Sequence, residues 1–232
     1  MQKPKIVVFT GAGVSAESGI ATFRDSNGLW HNHAIEDVAS PEGWQRNPQL
    51  VLDFYNQRRR DIEKAQPNAA HIAIAQLETA YDVCVVTQNI DDLHERGGST
   101  HIIHVHGEIT KARSSQDDQA IYSIGYADIK FGDKCPKGSQ LRPHIVWFGE
   151  AVLFYAEAEA AISAADKILV IGTSLSVFPA AYLLQAARTD AEKVLVSPDM
   201  DVVPRGYRYI ADTAMGAVPP LVERWLGECA NL

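Results

Sequence analysis

Gly11, Gly13 and Ala16 stand at G-x-G-x-x-A spacing directly after an apolar run. Glycine permits a tight turn, and backbone N–H groups at a helix start suit a phosphate. A strand-to-helix turn with no ligand would use the same glycines, so this pattern alone leaves both readings open. Gln88-Asn89-Ile90-Asp91 closes a second apolar run. Asn89 offers an amide donor and acceptor there, and Asp91 an acceptor. The chain has eight histidines. An imidazole near its ordinary pKa of about 6.5 suits a general base at neutral pH. Residue type does not separate His106 from its neighbours His94, His101 and His104, and most histidines only pack or face solvent. Tyr55 and Arg58 are three apart in a helical pattern and share a face. A phenol and a guanidinium are suitable partners for a carboxylate. A solvated arginine-rich face with a packed tyrosine fits the spacing equally well.

These groups must be positioned by the elements around them. Apolar runs rich in Val and Ile at Ile6–Thr10, Val83–Thr87, Ile168–Gly172 and Val194–Val196 predict buried parallel strands. Helical patterns lie between them at Pro48–Lys64, Ala69–Ala80, Tyr155–Ala165 and Pro179–Arg188. The alternation predicts an α/β fold with a doubly wound, Rossmann-like parallel sheet and ligand loops at the carboxyl ends of its strands. The polar stretch 109–143 predicts a small inserted lobe, with 1–108 and 144–232 forming the dinucleotide-binding domain. A conventional dehydrogenase would place an acidic residue after a second strand, about 20 residues beyond the glycines. Asp25 lies instead in a polar loop, and the next strand begins only at Val83. A long loop therefore replaces the second strand.

The 232 residues carry a net charge of -8 and no basic stripe; Arg58-Arg59-Arg60 is too short to change this, so no nucleic-acid partner is expected. Cys84, Cys135 and Cys229 do not form a disulfide framework, which fits a reducing compartment. No apolar stretch reaches membrane-span length and no signal pattern opens the chain. The expected location is cytoplasmic, without a membrane partner.

Taken together, these segments resemble the sirtuin family. Gly11 to Gly19 with Thr22-Phe23-Arg24 and Gly28-Leu29-Trp30 is similar to its first NAD motif, and Thr87 to His94 to its second. His106-Gly107-Glu108 resembles its catalytic histidine motif, Val146-Trp147-Phe148-Gly149-Glu150 its acyl-peptide strand, and Gly172 to Val177 its later NAD loop. The resemblance implies NAD-dependent removal of acyl groups from lysine in proteins, releasing nicotinamide and O-acyl-ADP-ribose. It makes His106 the base for a ribose hydroxyl, since only His106 precedes Gly-Glu in family order. Asn89 and Asp91 fall at the nicotinamide end, with Gln88 beside the ribose and Arg24 near the pyrophosphate. Ser174 falls on the phosphate or ribose side, and Ser197-Pro198-Asp199 at the adenosine, although the family more often has Asn where Ser197 stands. Ala12, Ser15, Glu17, Thr22, Phe23, Trp30, Ile90, Thr173 and Ala214 are carried over to the NAD surface, and Val146, Phe148 and Gly149 to the substrate.

The Tyr-x-x-Arg spacing of Tyr55 and Arg58 resembles the bacterial branch that removes succinyl and malonyl groups. An acid at Asp25 would oppose such a tail. The family staples its small lobe with zinc held by two cysteine pairs. Here the lobe has only Cys135, and the first pair's place reads Arg113-Ser114-Ser115-Gln116. His144 and Asp133 lack ligand spacing, so no metal is expected. Packing by Ile121, Tyr122, Ile124, Tyr126 and Phe131 is expected to hold the lobe instead. Other readings are a conventional dehydrogenase, a non-catalytic module for NAD or ADP-ribose, and a protein ADP-ribosyltransferase. The first leaves Gln88 to Asp91 and His106 to Glu108 unexplained.

Overall fold

The computed structural model describes residues 3–21, 29–30 (backbone only), 33–176 and 179–230 (backbone only at 230). Six parallel strands form the main sheet: β1 (Lys5–Thr10), β4 (Asp82–Thr87), β5 (Ile102–His104), β9 (Lys167–Ile171), β10 (Glu192–Val196) and β11 (Arg208–Ile210). Two short strands, β2 (Leu29–Trp30) and β3 (His33–Ala34), pair by themselves, and β6 (Gly107–Ser114), β7 (Ile121–Ser123) and β8 (Leu141–Ile145) form an antiparallel sheet. In the main sheet the order is β11-β10-β9-β1-β4-β5. Side chains alternate across β1: Ile6 and Val8 join one core, Val7 and Phe9 the other. Two helices cover the first face: α4 (Ala69–Gln76), with Ile74, and α7 (Ala214–Ala230), with Val218 and Trp225. The second face carries α6 (Tyr155–Ser163), with Ile162, and a 3-10 helix over Ala180–Ala186, with Leu183, while the short α5 (Leu93–Arg96) follows β4. The doubly wound α/β arrangement is therefore the observed one.

Edge strands β5 and β11 are only three residues long and are not fully buried along their length, so neither shows the apolar run that marks a central strand. The patterns at Ala69–Ala80 and Pro179–Arg188 also change character. The first becomes α4 plus a 3-10 turn at Leu77–Thr79, and the second is wholly 3-10. α7 contains Pro219 and Pro220, which obscure its helical signal.

Three helices pack beside the site: α1 (Ile35–Val38), α2 (Pro41–Arg46) and α3 (Pro48–Lys64). Asn47 caps α3 by accepting from the Leu50 N–H, and Pro48 occupies its first turn, where a missing N–H costs nothing. Along α3, Val51, Leu52, Phe54, Tyr55, Arg58, Arg59 and Ile62 are buried, at the spacing of one apolar face. Tyr55 is 0% and Arg58 6% exposed, so they do not belong to a solvated face. Arg60 points outward to Asp128 at 2.8 Å.

The expected packing of the lobe needs correction. Ile121 and Phe131 are exposed, at 42% and 65%. The apolar centre is Leu52, Ala112 and Ile129, flanked by Trp44, Ile124 and Leu141. Polar contacts supply the rest. Asn56 bonds the Ile129 backbone through both amide atoms at 2.9 Å, and Arg59 donates to Ile109 O at 2.9 Å and to Asn56 at 2.7 Å. Glu150 receives Arg113 at 2.8 Å and Arg142 at 2.7 Å. The Tyr126 hydroxyl bonds Asp92, tying the lobe to the loop after β4. Arg113 and Arg142 thus share the Glu150 carboxylate, which offsets the cost of burying their charges, while Arg59 rests on neutral oxygens.

A zinc site does not fit this lobe. The Cys135 thiol lies 3.6 Å from the Ser114 hydroxyl, a poor zinc ligand. Among the described residues, no three His, Cys, Asp or Glu side chains gather to hold a metal. Purified protein should therefore contain no stoichiometric zinc by elemental analysis, and EDTA should leave its melting temperature unchanged. One zinc per chain would overturn this.

Candidate active site

The loops after β1, β4, β9 and β10 meet at the carboxyl edge of the sheet. Contact between two of them explains the glycines. A Cβ on Gly13 would come within 2.6 Å of Gly172 Cα, and one on Gly11 within 2.8 Å of Gly172 O. Gly172 itself has φ +62°, a conformation that favours glycine. The Gly11 N–H donates to Ile171 O at 3.0 Å and the Gly13 N–H to Gly172 O at 2.8 Å. Those two N–H groups thus join the first loop to the end of β9 and the loop after it instead of pointing at a phosphate. Two 3-10 turns, Ala12–Val14 and Ala16–Ser18, stand where a regular helix start was expected.

Between these loops, α3 and the segment 145–150 lies a cavity of about 410 Å³. The expected NAD-side residues Gly11, Ala12, Gly13, Ser15, Glu17, Gln88, Asn89, Ile90, Asp91, Gly172, Thr173, Ser174, Ser197, Pro198, Asp199 and Ala214 all line it. His106, Tyr55, Arg58, Val146, Phe148 and Gly149 line the same space. Thr22, Phe23, Arg24, Asp25 and Val177 lie outside the described residues, as does the side chain of Trp30.

The polar groups are cross-linked. Ser15 Oγ donates to Asp91 at 3.1 Å and accepts from Asn89 Nδ2 at 3.3 Å. Asp91 also accepts from the Leu93 N–H at 3.1 Å, and Asn89 N–H donates to Thr87 Oγ1 at 3.0 Å. Burial raises the Asp91 pKa, against the lowering by its hydrogen bonds. Thr173 donates to Gln88 Oε1 at 2.9 Å, while Gln88 Nε2 is a buried donor with no partner among the described residues. A buried donor left open in a cavity suits a ligand acceptor such as a ribose oxygen. Glu17 accepts from the Met215 N–H at 2.8 Å, joining the first loop to the start of α7 beside Ala214. Ser197 Oγ donates to Asp199 O at 2.7 Å, so this hydroxyl shapes its own loop.

His106 Nδ1 lies 3.0 Å from the Gln88 carbonyl oxygen. A carbonyl only accepts, so Nδ1 carries the proton and Nε2 keeps its lone pair. Burial lowers the pKa of this imidazole, partly offset by that hydrogen bond, which favours the neutral form a base needs. The rivals are placed differently. His94 is fully buried beside Thr10 at 3.0 Å and has its pKa pushed well down by burial. His104 meets Asn89 O at 3.1 Å and Glu95 at 2.7 Å; burial opposes its charge, but Glu95 outweighs this and raises its pKa. His101 is exposed. None of the three lines the cavity.

A family model described as Sir2 family matches residues 11–179. The chain belongs to the Sir2 family. A Helicobacter pylori relative named NAD-dependent protein deacylase is 48% identical over 94% of this chain and 96% of its own. A Vibrio parahaemolyticus relative of the same name is 55% identical over 79% of this chain and 78% of its own. Among solved structures, a mutant Sir2 homologue in complex with ADP-ribose superposes with a TM-score of 0.90 at 36% identity, covering 98% of this chain and 94% of that one. A Sir2 homologue–NAD complex gives a TM-score of 0.87 at 36% identity, covering 98% and 91%.

Within this Sir2 chain, several lining residues had no distinct signal in the sequence: Ala39, Trp147, Val152 and Thr213. Trp147 sits inside the acyl-peptide motif and was foreseen only as part of it. Its hydrogen bond to Tyr55 joins segments 92 positions apart in the chain, whereas Arg142, over its ring, is a near neighbour in sequence.

Proposed function

We propose that this Sir2 chain is an NAD-dependent protein-lysine deacylase that removes acetyl groups and favours succinyl and malonyl groups. One observation carries the reading: Tyr55 and Arg58 are buried in the wall of the cavity that also holds His106 and the loops of the two NAD motifs. NAD, when bound, supplies the electrophilic ribose carbon and the hydroxyl that the acyl group finally joins. The chain's residues bind, orient and move protons. Asn89 and Asp91, held together through Ser15, would face the nicotinamide end, and Gln88 the ribose. His106 Nε2 would accept the ribose hydroxyl proton. Val146, Phe148 and Gly149 would receive the substrate backbone. Holding a weak amide nucleophile against its target is mainly a proximity task, which suits a cavity with so many cross-linked groups.

The net charge of -8 argues against nucleic acid as a partner, and the deacylase reading implies acylated proteins. Three free cysteines support a cytoplasmic location. Among the described residues no helix is long and apolar enough to cross a membrane.

The test is a panel of acetyl-, succinyl-, malonyl- and long-chain-acyl-lysine peptides assayed with and without NAD. Nicotinamide should appear one-for-one with deacylated peptide. Deacylation without NAD, formation of NADH, or ADP-ribosylated protein without deacylation would each overturn the reading.

A further inference from the structure

The Tyr55 phenol is wholly buried, and its oxygen lies 3.1 Å from Trp147 Nε1. An indole N–H only donates, whereas a phenol has one proton to give and lone pairs to receive with. The phenol oxygen is therefore the acceptor in this pair, and its own proton is directed elsewhere. Burial raises the Tyr55 pKa far enough to keep that proton in place.

Trp147 has little freedom to turn away. It is 2% exposed, and its backbone N–H donates to Glu150 at 2.8 Å. The Arg142 guanidinium lies 3.2 Å over its ring, and Glu150 holds that guanidinium at 2.7 and 3.1 Å. Trp44 packs on it at 5.8 Å between ring centroids. The lobe's arginine–glutamate cluster thus reaches the acyl wall through one indole.

We propose that Trp147 is a positioning residue for acyl specificity: its clamped indole N–H polarises Tyr55, so that the phenol presents a donor to the distal carboxylate of the acyl chain. The proposal rests on the reading of Tyr55 and Arg58 above and adds a residue to it. Both wall groups then offer hydrogens. An anionic acyl end accepts from both, whereas a methyl end gives the Tyr55 phenol no acceptor there, which is costly.

The test measures kcat and KM for succinyl- and acetyl-lysine peptides in four proteins: wild type, Trp147→Phe, Tyr55→Phe and the double variant. Trp147→3-benzothienylalanine is measured beside them, because it keeps the bicyclic ring and deletes only the N–H. Each removal of the N–H should lower the succinyl-to-acetyl ratio of kcat/KM about 3- to 10-fold, mainly through KM for the succinyl peptide. In the Tyr55→Phe background the same change should move the ratio less than about two-fold, because no phenol remains to orient. Equal losses in both backgrounds would show that Trp147 only packs, and would overturn the proposal. An unmoved ratio on loss of the N–H, with Tyr55→Phe still lowering it, would overturn the proposal alone. If Tyr55→Phe itself leaves the ratio unmoved, the underlying reading of the tyrosine falls and takes the proposal with it.

Discussion

Replacing His106 with alanine should lower turnover about a hundred- to ten-thousand-fold, the usual cost of losing a general base, while leaving the fold and most NAD binding intact. His106 is half-buried at the cavity wall, and its Nδ1 bonds a carbonyl oxygen of the preceding loop. Its removal leaves that acceptor able to find water, and no apolar core cluster includes it. The melting temperature and NAD titration are the controls. The pH profile follows from the same geometry. Burial places the His106 pKa below the ordinary 6.5, and the active form is neutral. The rate should therefore stay on its plateau down through neutral pH and fall only as pH drops below 6.5 towards that lowered pKa. An acid limb of kcat/KM centred above 6.5 would contradict the assignment. So would near-normal turnover of His106→Ala together with loss of turnover in His94→Ala or His104→Ala.

Arg58→Met should remove most desuccinylation, by about ten- to a hundred-fold in kcat/KM, and affect deacetylation far less. Arg58 is desolvated, which lowers its pKa to about 10, with Tyr55 and Asp91 opposing that fall. It remains a cation at neutral pH. A hydrogen bond from a buried cation to a carboxylate contributes about 1.5–3 kcal/mol, and each 1.36 kcal/mol is tenfold in rate. Methionine keeps much of the aliphatic volume against α3's neighbours, so the change isolates the charge. Tyr55→Phe should have the same direction and a smaller effect, because it deletes a neutral donor. Equal losses of succinyl and acetyl turnover in Arg58→Met would make the arginine a structural residue.

Much of this protein was legible in its residues before any coordinates. The central strands β1, β4, β9 and β10 are buried on both faces, so each appears as an unbroken apolar run and was placed to within two residues. The edge strands β5 and β11 were missed because three residues beside solvent carry no such run. Tyr55 and Arg58 could be put on one helix face by periodicity, but periodicity could not say whether that face met water or the core. Only the packing of α3 against Trp147 and the lobe settled that.

By itself the sequence determined the loop chemistry and its order. Gly-x-Gly after a strand, Gln88 to Asp91 after another and His106 before Gly-Glu are local patterns that survive without coordinates. It also determined that the lobe lacks two cysteine pairs, since a missing cysteine needs no geometry to be noticed. The tertiary structure decided what depends on segments meeting. Gly11 and Gly13 are bare because Gly172 presses against them from a loop more than a hundred positions away. His106 is separated from His94 and His104 by which ring reaches the cavity and which is closed off by Thr10 or Glu95. Tyr55 receives its hydrogen bond from Trp147, 92 positions along the chain. Short-range patterns record what a segment can do. Which donor meets which acceptor is set only when the sheet and lobe bring distant segments within about 3 Å, the range over which a hydrogen bond acts.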